Sequence, residues 1–366
     1  MWRAIAFSAW MSQRPQCTDR TEAGTAIIFF MEKKIRWGVL STAKIGIKKV
    51  IPGMQAGEFC EVTAIASRDA VKAREAASEL GIAKAYGSYE ELLADPEIDA
   101  IYNPLPNQLH VPWTAKAAEA GKHVLCEKPL SLTVAEAESL LAIRARTRVK
   151  IGEAFMIRSY TQWLRVAELI HSGRIGDLRA VNAHFSYFNA DATNIRNHIE
   201  SGGGALYDIG CYCIQAARIG FGELPRRVVG LIDRDPNFGV DRLTSAMLDF
   251  AGGQAIFTCS TQLVPHQRVH FLGTKGHIEI EIPFNAPIDH PTRIFVDETG
   301  ELFGSGIVIE EFPVADQYTM QGDAFSRAIL EDTAVPVPLE DAIANMKVIE
   351  GIFESAKTGG WITIQS

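Results

Sequence analysis

The sequence predicts an α/β Rossmann-type domain with a parallel sheet, followed by an α+β domain built on a large, open, mostly antiparallel sheet. Three observations carry that reading. From Ile35 to about Ala154, short continuous apolar runs alternate with amphipathic segments, the pattern of a parallel sheet covered on both faces. In the second half, strand-like runs follow one another with turn residues between them. The chain has 366 residues, 47% of them hydrophobic and 22% charged, enough for two globular domains.

In order, "IRWGVL" reads as a buried strand, "AKIGIKKVIPGMQ" as a helix interrupted near Pro52, and "CEVTAIAS" as a strand. "DAVKAREAASELG" is a helix that Gly81 stops. "IDAIYN", "KHVLCE" and "VKIGEAF" are strands, separated by the helices "QLHVPWTAKAAEAG" and "LTVAEAESLLAIRAR". Beyond them, "LRAVNAHFSYF", "SAMLDFAGGQAIFTCSTQL", "RVHFLGTKGHIEIEI" and "TRIFVDE" read as strands in series. Helices are assigned to "YTQWLRVAELIHSG", "GGGALYDIGCYC", "QYTMQGDAFSRAILE" and "LEDAIANMKVIEGIFESAKTG". The domains expected are 31–154 for a dinucleotide and 155–366 for substrate and oligomer contacts. Residues 1–30 stand apart as an over-long start, an ordered arm or a weak targeting segment.

A net charge of -8 with no basic run argues against nucleic acid as a partner. No apolar run approaches the roughly 20 residues that span a bilayer. The six cysteines are scattered and form no disulfide framework. Cys211 and Cys213 point to different faces of one helix and read as buried small hydrophobes, so no metal is expected. The cytoplasm is the expected compartment. With helices on one face of the second sheet, the other face is expected to meet a second subunit, giving a homodimer or homotetramer.

The first strand-to-helix turn reads "GVLSTAKIG". A G-x-G-x-x-G fingerprint would fall on Ser41, Ala43 and Gly46, of which only Gly46 is glycine. The placement suits a phosphate-binding turn formed by Ser41, Thr42, Ala43, Lys44, Ile45 and Gly46. About twenty residues on, where NAD-binding folds usually carry an acid, stand Ser67 and Arg68. A hydroxyl and a guanidinium suit a 2′-phosphate, which favours NADP; Asp69 reads as a possible helix cap instead. "PLPNQLH" puts Pro104, Leu105, Asn107 and His110 at a carboxyl strand end, where such folds bind ligands. "GGGALYDIGCYC" places Asp208 and Tyr212 at i, i+4 on one helix face behind three glycines. That is either a ligand wall or a core helix with satisfied polar groups.

"LCEKPLSLTVAEAESL" and "GGGALYDIGCYC" resemble the paired signatures of the glucose–fructose oxidoreductase/inositol dehydrogenase (Gfo/Idh/MocA) family. "YNPLPNQLHVPWTAKAAEAGKHVLCEKP" resembles that family over its whole length, and "GEAFMIR" and "GTKGHIEIEIPFNAP" resemble its branch of xylose dehydrogenases, dihydrodiol dehydrogenases and aldose–aldose oxidoreductases. The likeness runs from Ile35 to the C-terminus. It implies a catalytic set of Lys128, Asp208 and Tyr212, with Glu127 and Lys128 at the cofactor and the Lys128–Pro129 peptide cis. Tyr212 becomes the acid/base, its phenolate favoured by the charge of Lys128. Asp208 would bind a substrate hydroxyl or orient the pair. Arg158, Asn194, Arg196 and Tyr318 are the further candidates for substrate, Arg158 also for cofactor. The implied activity is NADP-dependent oxidation of C1 of a cyclic aldose to an aldonolactone, with or without a retained cofactor and a second sugar as acceptor. A trans-dihydrodiol dehydrogenase and a non-catalytic NADP-binding regulator are the alternatives.

Overall fold

The computed structural model describes residues 33–365, so the readings for residues 1–30 and Cys17 lie outside the described residues. The first sheet contains β1 (Ile35–Leu40), β2 (Cys60–Ala66), β3 (Lys84–Tyr86), β4 (Ala100–Asn103), β5 (His123–Cys126) and β6 (Ile151–Glu153). Its order is β3-β2-β1-β4-β5-β6, and every pair is parallel. The chain reverses its direction of travel across the sheet between β1 and β4, which opens a crevice at their carboxyl ends. Continuous apolar runs form these strands because both faces are covered; all four residues of β4 are buried. Only β3 escapes the sequence pattern, since its three residues are half-buried and carry no apolar run.

Local signals place the helices. Asp69 caps Ala70–Leu80 by accepting the Val71 and Lys72 amides, and Gly81 ends it at φ +66°. Thr133 and Glu136 form a capping box on Val134–Thr147. The helix after β1 opens as a π-turn, Gly46–Val50, before its α-helical part, Ile51–Gln55. The Ile51 amide reaches back five residues to the Gly46 carbonyl, and Pro52 supplies no amide for the next bond.

The second sheet holds β7 (Leu178–Phe188), β8 (Arg227–Arg234), β9 (Asp241–Asp249), β10 (Gln254–Ser260), β11 (Gln262–Gly273), β12 (His277–Ile280), β13 (Thr292–Asp297), β14 (Ile307–Phe312) and β15 (Ile362–Thr363). The order is β14-β13-β12-β11-β7-β10-β9-β8-β15, antiparallel except between β7 and β10. Three of these strands escape the sequence reading: β8 and β14, which are largely exposed, and β15, which has two residues. On the helix-covered face, Val181, Phe185, Phe257, Val269 and Phe271 are buried. The opposite face is open: Leu231 and Val264 are 77% and 75% exposed there.

Helix Gln317–Leu330 returns to the first sheet, where Trp37 donates to Ser326 Oγ at 3.0 Å and packs on Phe325 at 5.6 Å between ring centroids. The five described cysteines are free and buried. Among the described residues no helix is long and apolar enough to cross a membrane.

Candidate active site

A cleft of about 1080 Å³ opens at the carboxyl ends of β1, β2, β4 and β5 and is closed from the far side by residues of the second sheet and its helices. The turn after β1 contributes Ser41, Thr42, Ala43, Lys44 and Ile45. Ser41 takes φ +76°, the left-handed geometry that glycine usually supplies at this tight turn. Its amide bonds the Ala66 carbonyl at 2.9 Å, and its hydroxyl accepts the Ala43 amide at 3.2 Å. The strain is therefore held by local hydrogen bonds, which is how the turn forms without the first glycine. Gly46 does not line the cleft. It lies beneath the turn, where an added Cβ would touch Tyr102 and Pro104 at 3.7–3.8 Å.

Ser67 and Arg68 follow β2 and line the cleft. The Ser67 hydroxyl accepts the Asp69 amide, and the Asp69 carboxylate is occupied as a helix cap. Arg68 is exposed and lies beside Tyr89. Pro104, Leu105 and Asn107 follow β4, with the Asn107 amide donating to the Gly202 carbonyl at 2.9 Å. The turn thus fits a nicotinamide dinucleotide: small residues, one strained left-handed position, and a helix N-terminus aimed into the crevice.

The turn after β5 carries Glu127 and Lys128, with a cis Lys128–Pro129 peptide. Tyr102 donates to Glu127 Oε1 at 2.7 Å. His110 is buried between two loops, its ring nitrogens 2.7 Å from the Pro129 carbonyl and 2.6 Å from that of Leu105. Burial pushes His110 down to about 4, so it is neutral near pH 7 and donates to one of the two oxygens.

Close packing within the protein explains the Gly202–Gly204 entry. An added Cβ would fall 2.3 Å from the Leu132 side chain at Gly202, 2.4 Å from the Arg196 carbonyl at Gly203, and 1.9 Å from Asp241 Oδ1 at Gly204. The glycines let the 194–203 loop fold back on itself and let buried Asp241 accept the Leu206 amide at 2.7 Å. Leu206–Gly210 then forms a π-turn before the helix Cys211–Phe221.

On this turn Asp208 faces the Lys128 ammonium, which reaches its carbonyl at 2.6 Å and its Oδ1 at 3.2 Å. Arg196 Nε lies 3.0 Å from the same Oδ1, and Tyr187 donates to Oδ2 at 2.5 Å. Burial favours a neutral Asp208, but Arg196 and Lys128 outweigh it and hold the group well below the usual carboxylate range. For Lys128, burial pulls downward, but Asp208 together with Cys211 and Glu127 more than compensates, so the ammonium is charged. Three donors occupy the carboxylate, which favours the second of its two expected roles, orienting the pair, over binding a substrate hydroxyl.

The Tyr212 ring sits 5.0 Å from the Lys128 ammonium, against Phe155, Phe185 and Phe284. Its hydroxyl is turned to Met156 Sδ at 3.2 Å. Burial pushes the phenol well above its ordinary value, and the ammonium 5.0 Å from the ring does not offset it. The charge of Lys128 therefore does not prepare a phenolate in this state, contrary to the sequence expectation.

Asn194, Arg196 and Tyr318 also line the cleft. Arg158 does not. It lies within electrostatic reach of Asp341 and outside the lining of the cleft, so its assignment to cofactor and substrate gains no support from the site. Gln215 is buried and donates to Asp341. Sequence reading missed Tyr187 and Met156. The strand pattern of "HFSYF" puts Tyr187 on one of two faces, but only packing shows that this face looks into the cleft.

Residues 35–155 match the model of an oxidoreductase family with an NAD-binding Rossmann fold, and residues 163–279 match the GFO/IDH/MocA C-terminal domain. The chain belongs to the GFO/IDH/MocA oxidoreductase family. As a family member it is an oxidoreductase that binds a nicotinamide dinucleotide. The branch read from the sequence is present among its relatives. D-xylose 1-dehydrogenase (NADP(+)) 2 of Haloferax volcanii is 37% identical over 90% of this chain and 99% of its own. Trans-1,2-dihydrobenzene-1,2-diol dehydrogenase of Mus musculus is 33% identical over 85% and 94%. Among solved structures, aldose–aldose oxidoreductase from Caulobacter crescentus superposes with a TM-score of 0.82 at 26% identity, covering 90% of this chain and all of that one. A 3-ketoreductase from Actinomadura kijaniata, in complex with NADP and TDP-benzene, gives 0.81 at 29%, covering 88% and 98%. That 3-ketoreductase has also been solved with a substituted lysine and with a substituted tyrosine.

Proposed function

We propose that this GFO/IDH/MocA member is an NADP-dependent dehydrogenase that oxidises C1 of a cyclic aldose to an aldonolactone. The observation that carries the reading is the meeting of Lys128, Asp208 and Tyr212 at the floor of the cleft, opposite the dinucleotide turn. The substituted lysine and tyrosine of the 3-ketoreductase stand the same number of residues apart as Lys128 and Tyr212, which supports the pairing. When bound, the nicotinamide supplies the hydride acceptor. Ser41–Ile45 would hold its phosphates and Arg68 a 2′-phosphate. The nearest acid, Asp69, is committed to a helix cap, so NADP is favoured over NAD.

Lys128, charged through Asp208, donates a hydrogen bond to the reacting oxygen and favours its deprotonated form. Tyr212 carries the proton. Its present partner, a thioether sulfur, is a weak acceptor that a substrate hydroxyl readily replaces. A protonated phenol is ready to donate in the reducing direction; in the oxidising direction its proton must leave first. Arg196 and Tyr187 keep Asp208 ionised and fixed. The open face of the second sheet seats a second copy, giving a homodimer or homotetramer.

A turnover screen of pentoses, hexoses and disaccharides with NADP and with NAD tests the reading. Aldose oxidation with NADP preferred is expected; failure with every aldose, or a clear preference for NAD, overturns it. The aromatic wall of Phe185 and Tyr212 favours one rival, oxidation of a trans-diol beside an aromatic ring, so cyclic diols belong in the same screen. Spectra of protein purified without added nucleotide separate a retained cofactor from a freely exchanging one.

A further inference from the structure

Three side chains brace the turn that carries Lys128. Two face it from β4 and the helix after it: Tyr102 and His110. The third is Glu153, at the end of β6 directly across from Cys126 of β5. Its carboxyl is buried under the turn and accepts the Leu130 amide on Oε1 at 2.8 Å. Strand pairing fixes its origin: the Ala154 amide bonds the Cys126 carbonyl at 2.7 Å, so Glu153 cannot shift without breaking the edge of the sheet.

We propose that Glu153 is a positioning residue for Lys128, holding the 128–130 turn with a carboxyl that is neutral in the working enzyme. This rests on the dehydrogenase reading, since Lys128 is the group it positions. The surroundings explain the neutral form. The groups that act on Glu153 are Lys128 from the turn, Arg218 from the helix Cys211–Phe221, and Asp341 from the helix Leu339–Thr358; Cys211 lies beside it on the same helix as Arg218. Arg218 is taken by Asp341 at 2.9 Å, and Lys128 by Asp208. The two cations that act on Glu153 are thus already paired, and Asp341 repels a second carboxylate. Burial accordingly pushes Glu153 up to about 8. A neutral carboxyl accepts the Leu130 amide without competing for the ammonium that Asp208 must keep. Ionisation above about pH 8 places a second anion near Lys128 and draws it away from Asp208.

The test compares Glu153→Gln, which stays neutral and keeps the carbonyl acceptor, with Glu153→Ala. Steady-state rates are taken from pH 6 to 9.5 with NADP and D-xylose, or the best aldose of the screen. At pH 7 the Gln variant is expected to turn over within about threefold of wild type, and the Ala variant to lose at least about tenfold in kcat with KM for NADP little changed. Above about pH 8 the wild type should fall away and the Gln variant should not. A readout without turnover runs alongside: melting temperature against pH. The folded-state pKa of Glu153 is raised above its unfolded value, so the stability tied to its proton is complete below the unfolded pKa. It is lost as pH rises through about 8. Wild type should therefore lose melting temperature between pH 6 and 9 relative to Glu153→Gln. Parallel melting curves for the two proteins overturn the proposal even if no sugar is turned over, and leave the dehydrogenase reading to its own screen. Full activity in Glu153→Ala, or a Gln variant as impaired as Ala at pH 7, overturns it as well. Should Glu153→Ala fail to fold, the Gln variant decides alone through both readouts.

Discussion

Gly204→Ala is the sharpest perturbation the structure offers outside the reacting groups. Gly204 has φ +115°, a conformation that L side chains rarely adopt, and an alanine Cβ there would stand 1.9 Å from Asp241 Oδ1. The backbone alone costs roughly 1–3 kcal/mol. Asp241 must also withdraw, giving up the Leu206 amide at 2.7 Å and the Thr244 hydroxyl at 3.0 Å. Leaving buried partners of a charged acceptor unmatched adds roughly 1.5–3 kcal/mol. Together the substitution is expected to cost about 2.5–6 kcal/mol, toward the severe end for a single residue. Urea unfolding followed by circular dichroism measures it, provided the transition keeps its slope. Gly81→Ala is the control: it has φ +66° and nothing within 4 Å, so it isolates the backbone cost at about 1 kcal/mol. If Gly204→Ala destabilises no more than Gly81→Ala, the argument from close approach fails. The π-turn bearing Asp208 begins two residues on, so turnover should fall with stability.

Other outcomes follow from the same geometry. Asp208→Asn leaves Lys128 and Arg196 without their carboxylate, and burial then lowers the Lys128 pKa. The expected result is a loss of at least about 100-fold in kcat, and a kcat near wild type would remove Asp208 from the mechanism. Tyr212→Phe should reduce kcat by a similar order while NADPH binding, read by fluorescence titration, stays within about threefold. Arg68→Ala should weaken NADP by roughly 10-fold or more and leave NAD unchanged; equal weakening of both would show that Arg68 does not read the 2′-phosphate. Leu231→Asp with Val264→Asp places two charges on the open sheet face, where both positions are exposed. Light scattering should show the oligomer dissociating, and an unchanged mass would put the subunit contact elsewhere.

Much of the fold is legible in the sequence because its signals are local. Continuous apolar runs make parallel strands, Asp69 and Thr133 start helices, and Gly81 ends one. Of the strands that were missed, β3 is three residues long and β14 ends in Glu310, Glu311 and Phe312, whereas β8 carries the apolar run VVGLI, a strand signal that was passed over. At the site, Lys128, Asp208 and Tyr212 can be singled out by motif and by helical spacing. Arg158 follows the same logic but falls outside the lining of the cleft, within electrostatic reach of Asp341, far along the chain.

The sequence by itself determined the two sheets, the dinucleotide turn and the candidates for chemistry. Each of those depends on side-chain periodicity or backbone preference within a few residues. Only the tertiary structure decided the protonation and pairing of those candidates. Asp208 meets Lys128 across 80 positions of chain, Tyr187 joins them from a strand, and Glu153 lies beneath from another. Charge states answer to desolvation and to the nearest counter-ion, and neither exists until distant segments have packed.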